Sequence, residues 1–291
     1  MLFNLELRPI SDITPWGPIS APDAKTPEYL RHPHIGWFQL TDGWYWIDTG
    51  QGELFRYSQT LVDITNESYT DRRRMPSPYI DYYVARIWED LLDMLPWVLE
   101  PVPASLARVI SRDGAWGDWQ RQVEAVLSPS PNDEAFDLYY DVSRWTGQRR
   151  LDSGYLVSGP DIYFWNDGTD IHIQWDNRHR DLKGAPAWDA ILGQITMPVA
   201  VFLDEVSSFD ARFIRLMADR VAIAQGEWSR PDVILDPDVG REQIARSTWL
   251  QRSLEAGAAR EPDDWDKVFS AISRIESLPD FPCKASLRLT A

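Results

Sequence analysis

The sequence predicts an α+β fold in which antiparallel β-hairpins and sheet pack with amphipathic helices. Aromatic and β-branched runs are broken by Asp-Gly and Asn-Asp-Gly, which favours hairpins. Apolar residues recur every three or four positions in several longer stretches, which favours helices. The order of strands, helices, strands and helices lacks the regular alternation of a parallel sheet. We expect the C-terminal third to be helical.

Strands are predicted near the N-terminus. Residues 2–7 alternate apolar and polar side chains, which is the period of a half-buried strand. Residues 11–33 are rich in proline and are predicted to form an irregular arm. Beyond the arm, Asp42-Gly43 supplies the positive φ angles of a tight turn. Three short antiparallel strands are therefore predicted at residues 37–41, 44–48 and 53–57.

The clearest helical pattern begins at Ser77-Pro78, where serine can cap a helix and proline fits the first turn, and it stops at Pro96. Further helices are predicted at residues 117–127, 133–145, 201–224, 239–256 and 264–277. Strands return between these helices at residues 154–158, 161–165 and 170–175, with a hairpin turn at 166–168 and an edge strand at 195–199. We expect two α+β halves, residues 1–150 and 151–291, or one interlocked domain.

The chain carries a formal net charge of −16 together with 15 tryptophans. Such an anionic protein is repelled by nucleic-acid backbone and by anionic lipid, so neither is expected as a direct partner. Two arginine runs, residues 72–74 and 149–150, are interpreted as solvated loop charges. The composition favours a protein partner, and a basic one in particular.

Motifs of known chemistry are absent from the sequence. It has no glycine-rich phosphate loop and no nucleophile with its base, and His32 and His34 flank a proline that turns their rings apart. No metal, cofactor or catalytic residue is therefore predicted. The lone Cys283, the lack of a signal-like N-terminus and the lack of an apolar run of membrane-spanning length favour a soluble protein of the cytoplasm.

Aromatic and acidic side chains of the two hairpins form the candidate binding face. Because strand side chains alternate, Trp44 and Trp46 should share one face with Asp48, while Tyr45 and Ile47 point to the core. In the second hairpin we expect His172 to point outward, opposite its two isoleucine neighbours. An alternative is that helices cover both faces of the strands. The full predicted set is Asp42, Trp44, Trp46, Asp48, Trp165, Asp167, Asp170, Trp175 and Asp176.

Several segments resemble a bacterial family of uncharacterised proteins of similar length. They include LTDGWYWI at residues 40–47, YIDYYVARIWED at 79–90 and QWDNR at 174–178. The resemblance covers nearly the whole chain but implies no activity and no site residue. In composition the chain is also similar to immunity proteins of bacterial toxin systems, which are often acidic, cytoplasmic and rich in tryptophan.

Two hypotheses of function follow. The first is an immunity-type protein that occludes a basic partner, such as a nuclease toxin, with an anionic aromatic face. The second is a binding protein or hydrolase for a small, carbohydrate-like ligand, with sugar rings stacked on tryptophan and hydroxyls bound by aspartate pairs. The absence of catalytic motifs favours the first.

Overall fold

A computed structural model of the chain describes residues 1–23, 25–68, 77–112, 114–127, 133–278, 280–282 and 287. Arg72 to Arg74 and Cys283, which the sequence analysis singled out, lie outside the described residues.

The strands are β1 (Leu2–Leu7), β2 (His34–Ile35), β3 (Asp42–Asp48), β4 (Glu53–Leu54), β5 (Ile80–Tyr83), β6 (Ile162–Asn166), β7 (Asp170–Asp176), β8 (Asp181–Leu182), β9 (Ala185–Pro186), β10 (Leu192–Pro198) and β11 (Ile234–Leu235). The helices are α1 (Gln59–Ser68), α2 (Val84–Val98), α3 (Ala104–Ile110), α4 (Ala115–Leu127), α5 (Asp133–Gly147), α6 (Val199–Gly226), α7 (Val239–Arg246), α8 (Trp249–Ala259) and α9 (Trp265–Glu276).

This architecture confirms the α+β class. The strand pairs are antiparallel except for β2 with β11, and helices dominate the last third of the described chain. The chain forms two compact units, one of Met1–Leu92 and Leu203–Leu254, the other of Asp93–Phe202 and Glu255–Ala291. Residue 150, near which the sequence suggests a division, lies within the second unit.

The first unit contains a four-stranded sheet with β3 at its centre. β1 pairs along one side of β3, while β4 and β5 pair along the other. One face of this sheet is core: Tyr45 and Ile47 have no exposed surface, and Phe3 stacks on Phe209 of α6 with ring centroids 5.2 Å apart. Burial of these large apolar side chains is what holds the sheet to the helix.

The second unit contains a three-stranded sheet in the order β10-β7-β6. Its hairpin between β6 and β7 turns at residues 166–168, as predicted, and β10 supplies the predicted edge. Beside the sheet lies a helical core to which α3, α4, α5 and α9 contribute. Within that core Trp116 stacks on Trp119 with centroids 5.1 Å apart and meets Trp145 at an interplanar angle of 56°.

The predicted helix start at Ser77-Pro78 is wrong. Residues 80–83 form β5, which pairs with β3, and the helix begins at Val84 and continues through Pro96 to Val98. The apolar spacing of residues 80, 83, 84 and 87 fits a helix, but residues 80–83 are extended because they pair with β3. The local sequence does not reveal this pairing, because β3 lies more than 30 residues earlier in the chain.

The predicted turn at Asp42-Gly43 is also wrong, because both residues belong to the continuous strand β3. Residues 39–41, predicted as a strand, form a short 3-10 turn instead. A Cβ atom at Gly43 would lie 2.1 Å from the carbonyl oxygen of Glu6. Glycine is therefore required here for the close approach of β1, not for a turn.

Other elements depart from the sequence predictions in smaller ways. Residues 154–158 form turns rather than a strand, α1 and α3 were not predicted, and the helix expected at 239–256 is divided into α7 and α8. The remaining predicted helices are present with shifted ends: α4, α5, α6 and α9.

Candidate functional site

The face of the first sheet opposite its core carries the first half of the predicted site. Asp42, Trp44, Trp46 and Asp48 are all partly exposed and alternate along β3 with buried Gly43, Tyr45 and Ile47. The predicted orientation of this strand is confirmed. Strand register adds neighbours to the same face: Glu6 lies opposite Trp44 on β1, Asp81 lies opposite Trp44 on β5, and Glu53 lies opposite Asp48 on β4.

We refer to this surface as the acidic aromatic face, defined by Glu6, Asp42, Trp44, Trp46, Asp48, Glu53, Tyr79 and Asp81. Its five carboxylates face three guanidinium groups, those of Arg8, Arg56 and, near Asp42, Arg220, so the face is net negative. Of this face, only the residues of β3 were predicted from the sequence. Asp81 was missed because β5 was predicted as helix, and Glu53 was missed although a strand at residues 53–57 was predicted, because the register that puts it opposite Asp48 is not visible in the sequence.

Arg8 shows how this face accommodates a guanidinium group. Its Cζ lies 4.5 Å from the centre of the Trp44 ring, and its Nε donates to Asp42 Oδ2 at 3.1 Å. A second ion pair joins Arg8 to Asp81. Cation–π contact and charge-assisted hydrogen bonds act on the same group. One indole ring and two carboxylates together form a seat for a basic side chain.

The pKa of Asp42 reflects its position under this ion pair. Burial raises the pKa above the usual value, and the neighbouring Asp81 carboxylate raises it further, while the guanidinium of Arg8 opposes both effects. The positive charge of Arg8 therefore stabilises two carboxylates that would otherwise repel each other.

Trp46 forms the second aromatic feature of the face. Its ring stacks on Tyr79 with centroids 4.2 Å apart and planes inclined by 11°. The Tyr79 hydroxyl donates to Glu53 Oε1 at 3.0 Å. Asp48 accepts the backbone N–H of Gly50, and it lies at the edge of the stacked pair. A flat aromatic surface is thus bordered by two carboxylates.

The second hairpin does not form a comparable face. Trp165 is 2% exposed, and its ring stacks on His172 with centroids 3.8 Å apart. The prediction that His172 points to solvent is wrong, because His172 is only 9% exposed. Gln174, on the same side of β7, donates to the carbonyl of Ile110 at the end of α3. The side chains alternate as expected, but the face of the sheet that carries His172 is covered by helices. The proposed aromatic face cannot include Trp165.

Asp167 and Asp170 lie at the hairpin turn. Asp167 Oδ2 is 2.8 Å from His172 Nε2, and its other oxygen accepts the backbone N–H groups of Thr169 and Asp170. Burial acts to raise the pKa of Asp167, but these hydrogen bonds outweigh it and hold the pKa at about 2. The carboxylate stabilises the turn.

Trp175 and Asp176 also have structural partners. Trp175 is 6% exposed and lies on the sheet face opposite Trp165, so the two rings cannot act together. Asp176 pairs with Arg178 at 2.7 Å and with Arg121 at 3.3 Å. Burial acts to raise its pKa, and the two guanidinium groups lower it to below the usual value. Both residues border a cavity described below.

The arginine run at residues 149–150 was wrongly interpreted as solvated. Arg149 is 1% exposed, donates to Glu100 Oε2 at 2.9 Å and to Asp263 Oδ2 at 2.8 Å, and packs against two tryptophan rings. Its two carboxylate partners lie far away in sequence. No local pattern distinguishes such an arginine from a surface one.

Within the described residues, no group of three or more histidine, cysteine, aspartate or glutamate side chains is placed to hold a metal ion. No helix in the same part of the chain has the length and apolar character needed to cross a membrane.

Comparison with known proteins identifies a family but no activity. Neither the curated proteins nor the solved structures contain a significant match to this chain. A family model described as a family of unknown function, DUF5984, matches residues 2–271. Since this match spans nearly the whole sequence, the chain belongs to the DUF5984 family.

Proposed function

We propose that this protein is an immunity-type binding protein that sequesters a basic protein partner on the acidic aromatic face. The observation that carries the proposal is the seat of Arg8, where a guanidinium group is held between an indole ring and two carboxylates. A surface that binds its own arginine in this way has the chemistry to bind arginines or lysines of a partner.

The rest of the face offers further contacts of the same kind. Trp46 and Tyr79 present a stacked aromatic pair, and tyrosine and tryptophan are the residues that most often anchor protein interfaces. Glu6 is exposed, and Asp48 and Glu53 border the pair. The net charge of −16 would attract a basic partner over a longer range and speed its association.

Affinity capture from the source cells tests this proposal. The full chain is used as bait beside two face variants, Trp46→Ala and the double variant Glu6→Gln/Asp48→Asn. Glu227→Gln is the matched control, because it removes one exposed carboxylate at the C-terminal end of α6, away from β3 in sequence. We expect a stoichiometric basic protein on wild type and control, loss of it on both face variants, and its release at about 0.5 M salt, where the screening length is only a few ångströms.

Two results would count against the proposal. One is equal capture of the same protein by the face variants and by wild type. The other is the absence of any stoichiometric protein partner at low salt.

The carbohydrate alternative has less support. It requires tryptophan rings open for stacking, yet Trp165 and Trp175 are buried. Asp167 and Asp176 are engaged in a turn and in ion pairs.

The same proposal includes the kind of partner and the cellular location. The strong negative charge favours a basic protein partner and disfavours direct contact with nucleic acid or membrane. The single cysteine favours the cytoplasm.

A further inference from the structure

The second unit contains a cavity of about 330 Å³ that opens to solvent and lies between α4, β7 and the turn that follows β7. Small-molecule sites typically have volumes of about 300 to 1,000 Å³, so this cavity has the size of a small-metabolite site. All of its lining residues belong to the second unit, whereas the acidic aromatic face belongs to the first.

The charge of the cavity is opposite in sign to that of the protein. Its ionised side chains, with His179 taken as neutral, are four guanidinium groups and three carboxylates, which gives a net charge of +1 in a chain of −16. The groups concerned are Arg112, Arg121, Arg150 and Arg180, with Glu124, Asp161 and Asp176.

Three arginines of the lining carry more positive charge than their shared carboxylate neutralises. Asp161 is shared by Arg150 and Arg180, each at 2.5 Å, so one carboxylate faces two guanidinium groups. Arg112 adds a third, and its Nε donates to the backbone carbonyl of Val109 at 3.3 Å. No ion pair of Arg112 occurs within the described residues. These three arginines carry two positive charges in excess of Asp161.

Aromatic residues also line the cavity. Trp116 lies on α4 and Tyr163 on β6, on the same face of the sheet as Gln174. The wall therefore offers flat apolar surface beside the guanidinium groups.

The phenol of Tyr163 is a further hydrogen-bond donor of this wall. Burial, aided by the Asp161 carboxylate, raises the pKa of Tyr163 to about 12, so its phenol stays protonated at neutral pH. Together with the guanidinium groups it suits a ligand rich in acceptor oxygens.

We propose that this cavity binds a small organic oxyanion, a molecule that carries one phosphate or carboxylate group on a planar apolar body. The oxyanion would contact Arg112, Arg150 and Arg180, since guanidinium groups bind such oxygens with strong, charge-assisted hydrogen bonds. The planar body would lie against Trp116 and Tyr163.

Isothermal titration calorimetry of the full chain with phenyl phosphate and with benzoate tests this site, and the better-bound probe identifies the oxyanion. Benzamidine has a similar ring with a positive charge and is the ligand control. Arg112→Gln removes a cavity guanidinium that has no ion pair in the described residues, so its effect on folding should be small. Arg241→Gln removes an exposed arginine in the first unit and is the protein control.

Saturable binding of either oxyanion, weakened about tenfold or more in Arg112→Gln and unchanged in Arg241→Gln, would support the site. Arg180→Gln should weaken binding in the same way, and the thermal midpoint of each variant shows whether it remains folded. The proposal is overturned if neither oxyanion binds at about 10 mM, well above a millimolar Kd. It is also overturned if both folded cavity variants bind like wild type, or if benzamidine binds more tightly than the oxyanions.

Discussion

Replacement of Trp88 by alanine should remove a fully buried tryptophan from the core of the first unit. Trp88 lies on α2 with no exposed surface, stacks on Trp249 with centroids 5.3 Å apart, and contacts Phe213 at the same distance. Its indole N–H donates to Asp210 Oδ1 at 2.9 Å. The substitution therefore creates a large cavity and removes a hydrogen bond at once.

The cavity and the lost hydrogen bond contribute different amounts to the loss of unfolding free energy. Loss of a buried tryptophan to alanine typically costs about 3 to 5 kcal/mol of unfolding free energy. Leaving the Asp210 carboxylate without its donor adds about 1 to 3 kcal/mol. The sum is comparable to the whole stability of a typical domain, about 5 to 15 kcal/mol. We expect Trp88→Ala to be largely unfolded, whereas Trp88→Phe should lose mainly the hydrogen bond.

Urea unfolding followed by circular dichroism measures these changes, with Trp44→Ala as the contrasting variant. Trp44 is partly exposed on the sheet face, so its loss should cost much less than that of Trp88. Burial raises the pKa of Asp210, and the Trp88 hydrogen bond opposes that rise. In Trp88→Phe the folded pKa should rise further, so stability falls more as pH increases above 4. Equal costs for Trp88→Ala and Trp44→Ala would refute this account of the core.

Three further changes probe other parts of the structure. Arg149→Met removes one of the two guanidinium groups that pair with Glu100 and Asp263, the other being that of Arg260, and should cost about 1 to 3 kcal/mol in urea unfolding; a loss below about 1 kcal/mol would contradict a buried ion pair. The folded pKa of Asp167, about 2, lies below its unfolded value, so its contribution with His172 is full above pH 4 and is lost as pH falls toward 2. The stability difference between wild type and Asp167→Asn should shrink over that interval, and a constant difference would exclude this linkage. Gly43→Ala should cost about 1 to 3 kcal/mol or more, because the new Cβ collides with the carbonyl of Glu6; unchanged thermal stability would mean that β1 can shift freely.

Sequence reasoning succeeded where the signal is local. The alternation of Trp44, Tyr45, Trp46 and Ile47 depends only on the pleat of one strand, and the structure has Tyr45 and Ile47 buried as expected. The hairpin at residues 166–168 likewise depends on a short turn with glycine at a positive φ of 99°.

It failed where the determining partner is distant in sequence. β5 is a strand because it pairs with β3, although its apolar spacing fits a helix. Arg149 is buried because Glu100 and Asp263 come to it from distant positions. The arginine-lined cavity could not be predicted either, since its wall combines residues from position 110 to position 193.

The most direct test of the acidic aromatic face is the association rate of the captured partner, measured by stopped-flow fluorescence at low and high salt. For wild type and Glu227→Gln we expect a fast rate that falls by about tenfold or more as salt rises from about 50 to 500 mM, as electrostatic steering requires. Glu6→Gln/Asp48→Asn should associate more slowly at low salt and with a weaker salt dependence. Rates that are independent of salt, or equal for the face variant and wild type, would contradict binding at this face.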